Sequence, residues 1–107
     1  MGLLLPIDQP WNAANWVARG FFEDALLFVD AGTPLALKLQ FCVMADLDTL
    51  DQSDATSTDL RILQTVIRKV IARNEQLNGS NFFDPKGFPS YMAKLVELRD
   101  LVDTLVP

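Results

Sequence analysis

Six positions in the second half of the chain, Leu60, Leu63, Ile67, Val70, Asn74 and Leu77, are spaced 3, 4, 3, 4 and 3 apart. That row admits a helix and little else. At about 100° per residue it is widened by Val66 and Ile71 into one apolar face, with Arg61, Gln64, Thr65, Arg68 and Glu75 opposite and only Ile62 breaking the division. Ser57, Thr58 and Asp59 supply N-cap and first-turn chemistry, and Asn78-Gly79 supplies a left-handed stop. A second row, Tyr91, Leu95, Leu98, Val102 and Leu105, is spaced 4, 3, 4 and 3, with Glu97, Asp100 and Thr104 across from it and Pro89 or Ser90 as its start. Two such rows predict an antiparallel helical pair, too short for a long coiled coil.

The front half reads less directly. Trp11–Val29 is apolar at 14, 17, 21, 25 and 28 and again at 18, 22, 26 and 29, which predicts a broadly buried helix that Gly20 weakens by about 1 kcal/mol. Asp30-Ala31-Gly32-Thr33-Pro34 then gives a helix stop, a Thr cap and a proline at the first turn of the next helix. Leu35, Leu39, Val43, Leu47 and Leu50 continue at helical spacing. The competing pattern is the strict alternation of Leu35, Leu37, Leu39, Phe41 and Val43, which with Ala25 to Val29 would make a β-hairpin over 25–43. Helix is favoured because the segment outruns ordinary strand length and an isolated hairpin has no sheet to join. Leu3 to Leu5 are expected to lie as a short arm over the core. The expected fold class is therefore all-α: a single helical domain over 1–107, with four helices at Trp11–Val29, Pro34–Leu50, Thr58–Leu77 and Pro89–Leu105 and antiparallel neighbours.

Composition narrows the function. There is no histidine, which removes Ser-His-Asp and Cys-His catalysis, His-ligated zinc and imidazole pH switching from within one chain. The single Cys42 makes no intrachain disulfide or thiolate metal site and, in an apolar segment, reads as a small buried hydrophobe. Nine Lys and Arg against fourteen Asp and Glu leave a net charge of −5, which argues against nucleic acid as a ligand. The first residues lack the basic and apolar regions of a secretory signal, and no apolar run nears the ~18 residues of a membrane span. A cytoplasmic protein without cofactor or membrane contact is expected.

The acids are concentrated. Asp46, Asp48, Asp51, Asp54 and Asp59 fall in fourteen residues that hold no Lys or Arg, and Arg61, Arg68, Lys69 and Arg73 follow. Such a stretch is either a solvated linker whose acids favour the next helix's N-terminus, or a docking surface for a basic protein. As a calcium loop it fails, because Leu50, Asp51 and Ser57 stand at the fifth, sixth and twelfth positions, where oxygen, Gly and Glu are needed. Asp30-Ala31-Gly32 lacks the hydroxyl of the Asp-Thr/Ser-Gly motif of aspartic proteases and is read as a helix stop.

Aromatics gather in two places. Trp11, Trp16, Phe21 and Phe22 crowd the first predicted helix and are expected mostly in the core, whereas Phe82, Phe83 and Phe88 crowd the loop between the last two helices, as a plug or as a binding knob. Asn74, near its helix end, is expected as an exposed amide; a buried Asn in such a row would instead set register or oligomeric state. These residues point to a non-enzymatic, acidic protein-binding module that occludes a basic site, in the manner of an immunity protein or antitoxin acting on a nuclease-type toxin. Its surface would be Asp46, Asp48, Asp51, Asp54 and Asp59, with Phe82, Phe83 and Phe88 as apolar anchors. The alternative is a homo-oligomeric structural or adaptor subunit, a homodimer built on the helical stripes and Asn74.

Overall fold

The computed structural model describes residues 2–106. Its elements are β1 (Gly2–Leu4), β2 (Trp11–Asn12), α1 (Asn15–Leu26), α2 (Pro34–Met44), β3 (Thr49–Asp51), α3 (Ser57–Leu77) and α4 (Gly87–Leu105). Helices dominate, but the all-α expectation is overturned: a three-stranded mixed sheet in the order β2-β1-β3 is part of the fold. The hairpin over 25–43 is absent too, since those residues form the end of α1, a turn and most of α2.

Two of the expected helices are shorter than their periodicity suggests. α2 stops at Met44 because Asp46 adopts a left-handed conformation (φ 58°). The Leu47 amide then donates to the Cys42 carbonyl at 2.8 Å and the Asp46 amide to that of Val43 at 3.3 Å, the paired bonds of a Schellman stop. Leu50, expected on the helix, is released into β3, where it lies opposite Leu3 in parallel register. Trp11, expected at the start of a helix, instead pairs antiparallel with Leu3 from β2. Its indole Nε1 donates to the Lys94 carbonyl at 2.9 Å, which fixes the sheet to α4.

The Leu3–Leu5 arm does cover the core, as the central strand: Leu3 and Leu5 are buried and Leu4 faces out, the two-residue alternation of a strand. Gly2 has φ 129°, and a Cβ there would overlap the Trp11 carbonyl oxygen.

α3 and α4 follow the sequence closely. The predicted apolar face of α3 is buried from Leu60 to Asn74, and Tyr91, Leu95, Leu98 and Val102 of α4 are buried as well. Gln64 and Arg68, early in α3, both reach Asp103, late in α4, at 2.8 Å, so the pair is antiparallel. One continuous apolar core joins Leu3, Trp11, Phe21, Phe22, Leu39, Leu50, Ile67 and Leu98.

Candidate functional site

α2 carries apolar residues nearly all round. Leu35, Ala36, Leu39 and Cys42 turn inward, and the Cys42 thiol, its pKa pushed up by burial, lies 3.4 Å from the Thr49 carbonyl. On the diametrically opposite side, Leu37, Phe41 and Met44 recur at i, i+4 and i+7, and their exposures are 64%, 64% and 86%. A helix apolar on every side is ordinarily enclosed. Here nothing among the described residues covers the outer stripe, and three contiguous large side chains exceed the scattered exposed hydrophobes of an ordinary surface.

The acidic stretch borders this stripe. Lys38, about a quarter turn round α2 from Leu37, holds the Asp51 carbonyl at 2.8 Å and the Asp54 carboxylate at 3.2 Å, drawing that loop against the flank of the helix. Asp46, in the turn beyond Met44, pairs with Arg19 at 3.2 Å. Asp51 accepts from both the Ser53 hydroxyl (2.6 Å) and the Ser53 amide (2.9 Å); these bonds, the hydroxyl first, hold its carboxyl below the usual range. Asp48 accepts from the Thr49 hydroxyl at 3.2 Å. Asp59 closes a reciprocal capping box with Thr56 at the start of α3, so its role is structural. Two cations are thus paired into a rim of carboxylates, and the rim remains negative.

The phenylalanines gather at a different end of α3. Phe82, Phe83 and Phe88 follow the far end of α3, a helix of 21 residues, which puts them about 30 Å from Asp59 at its start, whereas Asp46 is nearer, since Glu23 lines hollows with both Asp46 and Phe82. The apolar residues that lie along the helix flanked by Asp54 and ended by Asp46 are Leu37, Phe41 and Met44. The readable signal was the unbroken apolar composition of 35–44, which exceeds what one buried face needs. Within the phenylalanine loop the two expected roles are divided. Phe82 plugs, with ring centroids 5.6 Å from Phe88 and 5.5 Å from Tyr91, while Phe83 projects fully into solvent.

Asn74 corrects another expectation. It is completely buried, its Nδ2 donating to Asp24 Oδ2 at 3.0 Å and to the Val70 carbonyl at 2.8 Å, so it and the apolar stripes of α3 and α4 pack within the core of one chain rather than on its surface. Of the α3 cations, Arg68 pairs with Asp103 and Arg73 with Asp24. Arg61 and Lys69 border a groove of about 300 Å³ with Phe28 and Ile62, which is where the apolar residue out of place on the helical wheel comes to rest.

Among the described residues no cluster of three acidic or cysteine side chains could hold a metal ion, and no helix is long and apolar enough to cross a membrane. Comparison with protein families, curated proteins and solved structures yields no match to this chain.

Proposed function

We propose that this chain is a non-enzymatic protein-binding module that docks a basic protein partner on the outward face of α2 and its acidic rim. The mode is that of an inhibitor occluding a cationic site, as an immunity protein or antitoxin does with a nuclease-type toxin. The observation that carries the reading is the exposed row Leu37, Phe41 and Met44 with carboxylates along its flank and at its end: apolar anchors supply affinity, and surrounding charge steers and selects. Asp46, Asp51 and Asp54 support it by facing solvent rather than lining a cleft around a small substrate.

The test is capture of a partner by the wild-type chain across a salt series, repeated with Asp48→Ala/Asp51→Ala/Asp54→Ala and with Phe41→Ser/Met44→Gln. A basic partner whose association falls steeply with ionic strength, and is weakened by both variants, supports the reading. Capture indifferent to both sets of substitutions refutes it. The same stripe also favours a second reading, a homodimer through α2. Sedimentation would then give a concentration-dependent dimer, insensitive to salt and abolished by Phe41→Ser/Met44→Gln.

A further inference from the structure

We propose that the cleft between α1, the α3–α4 loop and the start of α4 binds an arginine or lysine side chain presented by a polypeptide. The cleft has a volume of about 460 Å³, ample for a long side chain. Trp16, Phe82, Phe83 and Tyr91 line it, and Gly20 leaves its floor open beside the Tyr91 ring. Aromatic faces carry negative quadrupole potential and attract a cation laid over them. Trp16 is 50% exposed and Phe83 wholly so, so both have surface to offer.

Charge selects the ligand's sign. Glu23 and Asp24 stand on the α1 wall. Glu23 is exposed and makes no hydrogen bond or ion pair among the described residues. Asp24 accepts from Tyr91 and Asn74 through Oδ2, and Arg73 approaches its Oδ1 at 3.4 Å, which offsets part of its charge but leaves the wall negative. An adjoining hollow of about 430 Å³ shares Trp16, Phe82 and Phe83 and continues to Asp84 and Gly87. Gly87 lies against the Trp16 ring, where a Cβ would be in van der Waals contact at 3.4 Å. The second hollow accommodates the aliphatic stem while the head group meets Glu23. An anion would be repelled, and a compact cation would leave the second hollow empty. Glu23 also borders a small hollow with Val43, Asp46 and Leu47, so the cleft adjoins the C-terminal end of α2; Phe83→Ala probes the cleft alone and Phe41→Ser/Met44→Gln the outer stripe alone, so either assignment can fail without the other.

Chemical shifts of nitrogen-labelled protein test the proposal by titration with Nα-acetyl-arginine amide, its neutral isostere Nα-acetyl-citrulline amide, and choline. Saturable movement of the Trp16 indole signal and of the Gly20, Glu23 and Gly87 amides is expected. Affinity should be about tenfold greater for arginine than for citrulline, with choline weaker than arginine. The buried Trp11 indole, bonded to Lys94, should stay fixed. Phe83→Ala and Glu23→Gln alter exposed side chains, leave the fold intact and should each weaken arginine binding severalfold. Equal binding of citrulline, no movement at these signals, or undiminished binding by both variants would overturn the proposal. Tighter binding of choline would overturn it in favour of a compact quaternary cation.

Discussion

The Tyr91 hydroxyl donates to Asp24 Oδ2 at 2.8 Å, joining α4 to α1 across 67 positions of sequence. Burial foremost, and then the neighbouring Asp24 carboxylate, drives the Tyr91 pKa upward. The phenol is therefore neutral in the folded protein at pH values where the unfolded chain has ionised. Its contribution is complete below the unfolded value of about 10 and declines as pH rises beyond it. Cys42, also raised by burial, adds a loss that begins near an unfolded value of about 8.5. Tyr91→Phe should cost about 1–2 kcal/mol at neutral pH through the lost bond and should remove the steeper alkaline limb of the stability profile. Tyr91 is the only tyrosine, so tyrosinate absorbance reports it alone and should rise together with unfolding.

The capping box at the head of α3 gives a second prediction. The Asp59 amide donates to Thr56 Oγ1 at 3.2 Å and the Thr56 amide to Asp59 Oδ2 at 3.1 Å. Thr56→Ala should cost about 1 kcal/mol in chemical denaturation with an unchanged denaturant slope.

Gly2 tests the sheet. With φ at 129° and the Trp11 carbonyl where a Cβ would stand, Gly2→Ala must displace β1 or β2. It should destabilise by roughly 2 kcal/mol or more, whereas Gly32→Ala, where a Cβ meets nothing within 4 Å, carries only the strain of its positive φ and should cost about 1 kcal/mol. Thermal unfolding of the two variants gives the comparison.

The outer stripe of α2 should behave oppositely. Phe41→Ser/Met44→Gln removes no core contact, so stability should change by only about 0.5 kcal/mol per site, while affinity for the proposed basic partner should fall about tenfold or more. Calorimetric unfolding and a binding isotherm on the same sample separate the two.

Acid should act through Asp103. A hydrogen bond from Gln64 foremost, together with the Arg68 guanidinium, holds its carboxyl below the usual range. A lowered folded value means that the contribution is present above the unfolded pKa of about 3.9 and lost as pH falls through the folded one. Asp103→Asn should flatten the acid limb of stability and, at this partly exposed site, cost no more than about 1 kcal/mol at pH 7.

The sequence revealed the span, apolar face and Asn78 stop of α3, because these are local properties, but its N-cap is Thr56, one residue ahead of the candidates Ser57, Thr58 and Asp59. α4 was legible in its stripe but begins at Gly87, before Pro89. Trp11 was misplaced because nothing nearby tells that its partner is Leu3, and three successive leucines conceal the alternation that makes Leu3 and Leu5 inward and Leu4 outward. Leu47 and Leu50 kept helical spacing past a stop imposed by Asp46 in a left-handed conformation that few side chains favour. Five aspartates were visible as a group, yet their tasks were not. Asp59 caps, Asp51 braces Ser53, Asp46 and Asp54 hold cations, and only tertiary structure sets Asp46 and Asp54 beside the exposed stripe. Phe83 and Glu23, 60 positions apart, share a cleft that no local pattern announces.

β1 sits between β2 and β3 while preceding both along the chain, and its parallel partner arrives some 47 residues later, Gly2 opposite Thr49. Closing that loop is entropically slow compared with zipping neighbouring helices. On that argument the sheet is expected to form after the helical pair and to open before it under mild stress. Amide exchange should begin there while the α3–α4 pair still retains its protons.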